Sequence, residues 1–247
     1  MIHLKSHEEI EKIHTAGRIL AEALKKVSQI VSPGITTEKL DKTAAELVKK
    51  QNARCAFYGY RGYPKNICVS VNEEVVHGIP GARKLKEGDI VGIDIGVELD
   101  GFFADAAITI GVGRISQQAE KLIEITKKAL HKAIDVALLG NKLFDISYAI
   151  QQEAEASGFS VVRDLVGHGT GLSIHEDPQV PNFGLPHMGP ILKEGMVLAI
   201  EPMINLGGYK VEILKDGWTY VTADRSLSAH FEHTIAITGE GPKILTE

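Results

Sequence analysis

Residues 85–110 read LKEGDIVGIDIGVELDGFFADAAITI and predict a β-hairpin. Two apolar runs rich in β-branched residues flank an Asp-Gly dipeptide at 100–101. Asp-Gly between two such runs is a strong signal for a tight hairpin turn. We therefore expect strands over 90–95 and 102–110, joined by a turn that begins near residue 98.

The opening of this stretch, Leu-Lys-Glu-Gly, occurs a second time at residues 192–195. Each copy precedes an apolar run that we expect to form a strand ending in an acid. That acid lies six residues after the glycine in both copies, as Asp94 in the first and Glu201 in the second. A match that continues into the same strand pattern indicates related structural units whose acids meet at a shared interface.

Helical periodicity precedes each copy of the repeat. Apolar residues at three- and four-residue steps predict four helices, over 6–30, 37–51, 116–138 and 144–157. Shorter β-rich runs predict further strands at 67–71, 159–163, 196–201, 209–214, 218–223 and 230–238. We expect a single domain, 1–247, with pseudo-symmetric halves at about 1–112 and 113–247.

The composition is that of a globular protein and argues against several classes. The chain has 247 residues, 44% of them hydrophobic and 24% charged, which suits one large domain. A net charge of −5 without a basic run argues against a nucleic-acid partner. No apolar run approaches the ~18 residues of a membrane span, and the first residues lack the pattern of a signal peptide. Two cysteines, Cys55 and Cys68, cannot form a disulfide framework, so we expect a cytoplasmic protein.

Four acids lie within otherwise apolar strands of the predicted sheet: Asp94, Asp105, Glu201 and Glu232. A buried carboxylate is costly unless a positive group faces it, and several carboxylates together repel one another. Because side chains alternate along a strand, each strand can bury apolar residues on one face and present its acid on the other. Divalent cations that prefer oxygen ligands would offset the repulsion. The alternative is four unrelated acids, each in an ion pair or at a strand end.

Three histidines occur in settings that suggest a role beside these acids. His168 lies in the glycine-rich sequence GHGTG, which we expect to form a tight loop that brings the imidazole close to a metal. A phosphate-binding loop is a weaker interpretation, because no clear strand-loop-helix unit surrounds the glycines. A histidine satisfied within the core is another. His77 and His175 are each followed three residues later by proline, and either imidazole could bond a substrate carbonyl or move protons.

Together these motifs resemble the methionine aminopeptidases of type I, members of the pita-bread fold family. The likeness covers essentially the whole chain. Its strongest parts are VNEEVVHGIP at 71–80, GDIVGIDIGVELDGFFADAAITIGVG at 88–113, GHGTGLSIHEDPQVPN at 167–182, EPMI at 201–204 and SLSAHFEHTIAIT at 226–238. The family implies an α+β fold with two pseudo-symmetric halves and a curved, mainly antiparallel sheet covered by helices on its outer face.

The resemblance also implies an activity and a metal cofactor. Family members remove the N-terminal initiator methionine from nascent proteins and peptides, prefer a small uncharged second residue, and hydrolyse the bond with a metal-activated water. Two divalent ions are expected, of cobalt, manganese, iron or zinc. Their five ligands correspond to Asp94, Asp105, His168, Glu201 and Glu232. Asp105 and Glu232 would bridge the ions, His168 and Glu201 would complete one site, and Asp94 the other.

Further residues correspond to the family's catalytic and binding groups. Glu201 would shuttle a proton, His175 would stabilise the oxyanion, and His77 would orient the peptide on the leaving-group side. The methionine pocket corresponds to Tyr60, Tyr63, Cys68 and Trp218, with Phe57 nearby. From their pattern alone, these five residues would be interpreted as core. A monovalent cation is expected near Asn72 and Ser228.

Two positions depart from the family pattern. Ile174 stands where phenylalanine is common, and His230 where glutamine is usual. We expect the first to alter the shape of the methionine pocket. The second should alter the hydrogen bonding around Glu232. Neither departure removes an expected metal ligand.

The family likeness implies a monomer that binds peptide or nascent-chain N-termini, with neither a nucleic-acid nor a membrane partner, and ribosome contact fits such a substrate. Three alternatives remain open. The first is another pita-bread hydrolase, an Xaa-Pro aminopeptidase or a prolidase. The second is a binding protein of this fold that has lost catalysis, although such relatives typically lack metal ligands. The third is a structural calcium protein, which His168 disfavours because calcium prefers oxygen ligands.

Overall fold

The computed structural model describes residues 2–247, and the helices of that region match the sequence prediction. They are α1 His7–Gln29, α2 Thr37–Lys50, α3 Gln117–Asp135 and α4 Leu143–Ala156. The side chain of Ser6 accepts a hydrogen bond from the N–H of Glu9, whose carboxylate accepts one from the N–H of Ser6. This reciprocal pair is a capping box and fixes the start of α1. Gly158, with a φ of 84°, follows α4 in the left-handed conformation that commonly ends helices.

The strands of the described region form one large sheet and two small ones. In chain order they are β1 Arg54–Cys55, β2 Cys68–Val71, β3 Glu74–Val76, β4 Ile90–Leu99, β5 Phe102–Gly111, β6 Ser160–Val161, β7 Val166–Gly169, β8 Glu176–Pro181, β9 Val197–Ile200, β10 Met203–Asn205, β11 Val211–Ile213, β12 Tyr220–Thr222, β13 Ser228–His230, β14 Glu232–Thr238 and β15 Gly241–Ile244. The large sheet has the order β1-β4-β5-β14-β9-β7-β8, with β2 paired to β4 and β15 to β14. The small sheets have the orders β13-β10-β6 and β11-β12-β3, and every pairing is antiparallel.

Strands β4 and β5 form the predicted hairpin, but β4 is longer than predicted. The turn residues Asp100 and Gly101 have φ values of 52° and 83°, as a two-residue hairpin turn of type I′ requires. Asp94 is not at a strand end; it lies within β4, opposite Ala107 of β5. The predicted end at residue 95 was wrong because residues 98–101 were assigned to the turn, whereas backbone pairing continues to Leu99.

The two faces of the hairpin have different neighbours. Ile93, Ile95 and Val97 are fully buried in an apolar cluster to which α1 contributes Ile13 and Leu20. Burial of each such side chain contributes roughly 1.5–3 kcal/mol, so this face anchors the hairpin to the helices. Because side chains alternate along a strand, the carboxylate of Asp94, between Ile93 and Ile95, points to the opposite face.

Helices α3 and α4 cover the strands of the second half in the same manner. Leu198 and Ile200 of β9 pack in one apolar cluster with Ile235 and Ile237 of β14, and the buried residues of both helices join it. The helices therefore lie on one side of the large sheet. The expected α+β architecture, an antiparallel sheet with helices on one face, is confirmed.

The two copies of Leu-Lys-Glu-Gly make matching contacts. The glycine of each copy has a left-handed φ, of 91° and 85°. Leu85 exchanges two backbone hydrogen bonds with residues 34–35, and Leu192 exchanges two with residues 140–141. Each copy thus binds the segment that leads into the second helix of its half. The division into two related halves stays a prediction, which these contacts support.

Two expectations for the second half are wrong. The first residues of GHGTG do not form a loop, because Val166–Gly169 is strand β7, paired with both β8 and β9. The predicted strand over 230–238 is interrupted at Phe231, so β13 belongs to a small sheet and β14 to the large one. Several short strands were not predicted at all, since their pairing depends on tertiary contacts more than on propensity. None of the helices within 2–247 has the length and apolar character needed to cross a membrane.

We predict that Gly17→Ala destabilises the fold, because α1 contacts the end of the chain at this glycine. A Cβ at position 17 would lie 1.9 Å from the carbonyl oxygen of Leu245. We expect a cost at the upper end of the about 1–3 kcal/mol typical of overpacking, more than the roughly 1 kcal/mol that alanine gains over glycine in a helix. Urea unfolding followed by circular dichroism should show a lower midpoint than for Gly81→Ala, where a Cβ meets nothing within 4 Å. Equal midpoints for the two variants would contradict this prediction.

Candidate metal centre

One line of paired residues crosses three strands of the large sheet. Asp94 of β4 lies opposite Ala107 of β5, and Ala107 also lies opposite Glu232 of β14. Directly opposed residues point to the same face of a sheet. Asp105 shares that face, because it precedes Ala107 by two residues. The small side chain of Ala107 leaves room among three carboxylates that come from three adjacent strands.

A second line of residues joins the first on the same face. His168 of β7 lies opposite Ala199 of β9, and Ala199 lies opposite Thr234 of β14. Thr234 follows Glu232 by two residues and therefore points to the same side. Glu201 follows Ala199 by two residues, immediately beyond β9. The five predicted ligands thus share the face that points away from the helices, two from the first half of the chain and three from the second.

The side chains on this face approach one another closely. Single ligand atoms of Asp105, His168 and Glu232 lie within 4.8 Å of one another. Nε2 of His168 is 3.4 Å from Oε1 of Glu201 and 4.0 Å from Oδ2 of Asp105. Asp94 and Asp105 lie close enough for each carboxyl group to shift the pKa of the other. The five groups form one contiguous cluster.

The glycines on either side of His168 permit close packing of strand β7. A Cβ at Gly167 would lie 2.5 Å from the carbonyl oxygen of Ala199, and one at Gly169 would lie 2.1 Å from that of Asp177. Nδ1 of His168 is 2.9 Å from the carbonyl oxygen of Gly169. Since a carbonyl only accepts, Nδ1 carries the proton and Nε2 presents a lone pair to the carboxylates.

Burial of the cluster changes the protonation of its members. Burial raises the pKa of Asp94 to about 7. Burial and repulsion by neighbouring carboxylates raise the pKa of Asp105 well above its ordinary value, and burial together with nearby carboxylates does the same for Glu201 and Glu232. Burial lowers the pKa of His168 to about 4, so its imidazole is neutral at physiological pH. Without a cation, the four carboxyl groups therefore repel one another and cannot all be ionised.

The donor set suits divalent cations. Three buried carboxylate oxygens, Oδ1 of Asp94, Oδ1 of Asp105 and Oε1 of Glu232, have no hydrogen-bond partner. Unpaired anionic oxygens beside a neutral imidazole nitrogen are ligands that manganese, iron, cobalt and zinc accept. Coordination would satisfy these oxygens and remove the repulsion among the acids. The residues of this face fit the metal site that the sequence predicts.

The cluster lies in a cavity of about 610 Å³. All the other predicted catalytic and substrate-binding residues line the same cavity: Phe57, Tyr60, Tyr63, Cys68, His77, His175 and Trp218. The structure therefore brings together residues that are separated by as many as 175 positions in the chain. The volume is within the range of sites for small molecules or short peptide segments.

His175 and His77 line the wall of the cavity that contains the cluster. The ring of His175 lies 4.3 Å from that of His168 and is stacked at 5.0 Å on Tyr60, measured between centroids. His77 has a φ of 60°, an uncommon conformation for a residue with a side chain, and its ring contacts Tyr220 edge-on at 5.8 Å. Burial lowers the pKa of His175 to about 3 and that of His77 to about 4. Both imidazoles are therefore neutral and can donate one N–H.

One end of the cavity is apolar. Phe57, Tyr63 and Cys68 are buried there and pack in one cluster with Tyr60 and Trp218. The ring of Tyr63 meets Trp218 edge-on at 5.1 Å, and its hydroxyl lies within hydrogen-bond distance of two backbone carbonyl oxygens. The hydroxyl is therefore satisfied within the protein. The pocket wall presents ring faces and edges together with one sulfur atom.

The two departures from the family pattern both lie at this site. Ile174 is 2% exposed and belongs to the apolar cluster. Nε2 of His230 is 3.7 Å from Oε2 of Glu201 and 3.9 Å from Oε2 of Glu232, and it lacks a hydrogen-bond partner. His230 therefore lies beside two of the expected metal ligands, as its place two residues before Glu232 in the sequence suggested.

The expected monovalent-cation residues are adjacent but already bonded. The N–H of Ser228 donates to the carbonyl oxygen of Asn72 at 2.9 Å. The side chain of Asn72 accepts from the N–H of Ile90 and donates to Asp89, and the hydroxyl of Ser228 donates to Asn205. These contacts join β13 to the segment before β4.

The cavity also contains residues that the sequence did not single out. They are Arg61, Val76, Leu165, Val166, Glu176, Asp177, Gln179 and Met203. Most are close neighbours of predicted residues in the chain, and Met203 follows Glu201 by two positions. Period-two alternation from Glu201 could have found Met203, whereas no pattern signalled Leu165.

The chain is similar in sequence and in structure to known metallopeptidases. The model of metallopeptidase family M24 matches residues 11–239. The chain is 56% identical over 246 residues to the methionine aminopeptidase of Clostridium perfringens, covering 100% of this chain and 99% of that protein. The solved methionine aminopeptidase of Thermotoga maritima is similar with a TM-score of 0.98 and 48% identity, each chain being covered to 100%. The prolidase of Pyrococcus furiosus has a TM-score of 0.80 and 25% identity, covering 99% of this chain and 65% of that one.

These similarities confirm the fold expected from the sequence. Methionine aminopeptidases and prolidases share the pita-bread fold, and this chain superposes on both. The family model spans most of the chain, and more than half of all positions match the relative from Clostridium perfringens. The chain therefore belongs to metallopeptidase family M24.

Proposed function

We propose that this chain is a methionine aminopeptidase, which hydrolyses the first peptide bond of proteins and peptides that begin with methionine. The observation that carries the proposal is the cluster of four carboxylates and a neutral histidine in a cavity with an apolar end. The methionine aminopeptidases that are 56% and 48% identical to the chain support it. A preference for a small, uncharged second residue is part of the proposal.

We propose that two divalent metal ions, of cobalt, manganese, iron or zinc, are held at the cluster. Their ligands would be Asp94, Asp105, His168, Glu201 and Glu232. Bound there, the ions would polarise the scissile carbonyl and lower the pKa of a water molecule toward ~7. The unpartnered carboxylate oxygens and the Nε2 lone pair of His168 support this assignment.

Glu201 is proposed as the group that holds and moves a proton. Burial and the neighbouring carboxylates raise its pKa, which makes its carboxylate a stronger base for accepting a proton. Its position just beyond β9 places it at the margin of the cluster, with 12% of its side chain exposed. In the proposed mechanism it takes a proton from the attacking water and delivers it to the leaving amine.

His175 and His77 are proposed to act on the substrate as neutral donors. A neutral imidazole N–H can stabilise the negative charge that develops on a carbonyl oxygen. The short distance between the rings of His175 and His168 supports that role for His175, beside the metal ligands. His77 would orient the peptide on the leaving-group side.

The apolar end of the cavity is proposed to bind the methionine side chain. An unbranched thioether adapts to an irregular pocket and makes favourable contacts with aromatic rings. Phe57, Tyr60, Tyr63, Cys68 and Trp218 would supply those contacts. The free amine of the substrate would lie on the Asp94 side of the cluster, which would restrict cleavage to chain ends.

Several finer assignments are also part of the proposal. We propose a monomer in the cytoplasm that meets nascent chains, with ribosome contact and a monovalent cation near Asn72 and Ser228. We also propose that the single catalytic domain, 1–247, contains related halves at about 1–112 and 113–247. The matching contacts of the two Leu-Lys-Glu-Gly copies support the last point.

Peptide specificity tests the proposed activity directly. The manganese-loaded protein should cleave Met-Ala-Ser and Met-Gly peptides and cleave Met-Leu or Met-Lys peptides poorly, because the second residue must lie beside the imidazoles at the scissile bond. Chromatography of the products measures the rates. Acetyl-Met-Ala-Ser, which lacks a free amine, is the control and should remain intact. Faster cleavage of Xaa-Pro peptides than of Met-Ala-Ser would instead assign a prolidase-like activity.

Replacement of one ligand should separate stability from metal binding. The pKa of Glu232 is raised in the folded protein. The folded state therefore loses stability as the pH rises above the ordinary pKa of a glutamate. At pH 7.5, Glu232→Gln should therefore unfold at a higher temperature than the wild type when both are metal-free. Added manganese should stabilise the wild type and leave the variant unchanged, as calorimetry would show, and the variant should be inactive.

The exposed Glu240 offers a matched control for this experiment. Glu240→Gln should respond to manganese as the wild type does. Manganese binding of normal strength by Glu232→Gln would refute its role as a ligand. A lower melting temperature of that variant in the metal-free state would refute the electrostatic reason.

Removal of His175 should reduce turnover without loss of metal. We expect His175→Ala to lower kcat on Met-Ala-Ser by more than ~100-fold, the scale of losing one oxyanion donor. Isothermal titration with manganese should give the wild-type affinity. His7→Ala, at an exposed position of α1, should retain normal kcat. A His175→Ala enzyme with near-normal kcat would rule out the proposed role.

A further inference from the structure

Lys5 lies outside the cavity and is buried against Glu176. Its side chain is 1% exposed, that of Glu176 is 13% exposed, and Nζ is 2.5 Å from Oε2 of the carboxylate. The backbone N–H of Lys5 donates to the carbonyl oxygen of Gly195 at 2.7 Å. A Cβ on Gly171 would lie 2.9 Å from Cε of Lys5, so the aliphatic stem packs directly on that backbone. The ammonium group is therefore held in one place by the second half of the molecule.

The other oxygen of Glu176 closes a turn. Oε1 accepts hydrogen bonds from the N–H of Leu172 at 2.6 Å and from the N–H of Ser173 at 2.9 Å. The carboxylate thus joins the first and last residues of the segment 172–176. One oxygen faces Lys5 and the other holds the backbone of the turn.

One residue of the proposed active site and one residue that packs beside its apolar end lie within this turn. Ile174 is 2% exposed and packs in the apolar cluster at the methionine end of the cavity. His175, the proposed oxyanion donor, lines the cavity beside His168. The expected metal ligands on β4, β5, β7 and β14 are fixed by strand pairing. His175 lies just outside a strand, and its position depends on the geometry of the turn.

We propose that Lys5 is a positioning residue, which acts through Glu176 to fix the turn 172–176 and so to place His175 against the substrate. The consequence for turnover rests on the proposed aminopeptidase function. The consequence for the position of the His175 ring does not.

Electrostatics explains why the ammonium is needed. Burial alone would raise the pKa of Glu176, but hydrogen bonding and charge attraction from Lys5, together with the two backbone N–H groups, lower it below the ordinary value. Loss of one partner of a buried ion pair leaves an uncompensated charge, which is strongly unfavourable. Without Lys5, Glu176 would turn toward solvent or take up a proton, and its hydrogen bonds to Leu172 and Ser173 would weaken. A displacement of ~1 Å in a catalytic group can cost about 100-fold in rate.

Lys5→Met tests the proposal, since methionine keeps most of the buried stem and removes the charge. Well below the unfolding temperature, we expect kcat on Met-Ala-Ser to fall by about 10- to 100-fold, with unchanged manganese affinity by isothermal titration. The matched control is Lys243→Met. Lys243 also pairs with a glutamate, Glu11, at 2.7 Å, but 40% and 47% of their side chains are exposed. This variant should keep the wild-type kcat.

The position of His175 can be observed without any catalysis. In metal-free protein with ¹³C-labelled histidine, the Cε1–H resonance of His175, assigned by its loss in His175→Ala, should move in Lys5→Met and stay in place in Lys243→Met. An ion pair that only stabilises the fold would lower the unfolding temperature and leave both kcat and this resonance unchanged, which would overturn the proposal. If the wild type cleaves no peptide, the proposed function fails and the resonance alone decides the positioning role.

A double variant tests whether Lys5 acts through Glu176, and it also covers a failure of Lys5→Met to fold. In Lys5→Met/Glu176→Gln no charge is buried, and the amide oxygen can still accept from Leu172 and Ser173. We expect this protein to fold, to regain part of the lost kcat and to show the His175 resonance close to its wild-type position. A folded double variant with kcat as low as that of His175→Ala, or with the resonance displaced, would overturn the proposal.

Discussion

The buried carboxylates of this protein repel one another, and the rest of the structure must offset that repulsion. Asp94, Asp105 and Glu232 face one another across three adjacent strands, and three of their oxygens have no hydrogen-bond partner. Burial raises the pKa of Asp94 to about 7, so its ionised form is disfavoured in the folded protein. A typical domain has only about 5–15 kcal/mol of net stability. Divalent cations at this face would therefore complete the electrostatics of the fold as well as provide the chemistry.

The sheet holds the acids together because its other face is so strongly apolar. Ile93, Ile95 and Val97 alternate with the positions that face the cavity, and each is fully buried beneath α1 and α2. Strands β9 and β14 bury Leu198, Ile200 and their neighbours beneath α3 and α4 in the same way. Hydrophobic burial on the helix side thus offsets the electrostatic cost on the cavity side. Strand pairing then fixes the side chains relative to one another more firmly than loops would.

The sequence predicted the parts of the fold that local pattern determines. The helices and the β4–β5 hairpin follow from apolar periodicity and from the Asp-Gly turn, and the acids of the sheet stood out because charge is rare in apolar strands. Strand β7 was missed because glycine disfavours strands, whereas Gly167 and Gly169 are needed for close approach to β9 and β8. The expected methionine pocket followed only from the family resemblance, because Tyr63 or Cys68 resembles an ordinary core residue in isolation. The ion pair of Lys5 with Glu176 spans 171 residues and has no local signal.

The contrast between strand-borne and turn-borne groups explains why a remote ion pair can influence the site. The proposed metal ligands lie on or next to paired strands, so the sheet fixes their positions relative to one another. His175 belongs to a short turn, whose backbone has few bonds to regular structure. Glu176 supplies the missing restraint through two N–H groups, and it is kept in place by a buried ammonium from the segment before α1. The position of His175 against the substrate thus depends on an ion pair that joins the first residues of the chain to the turn 172–176.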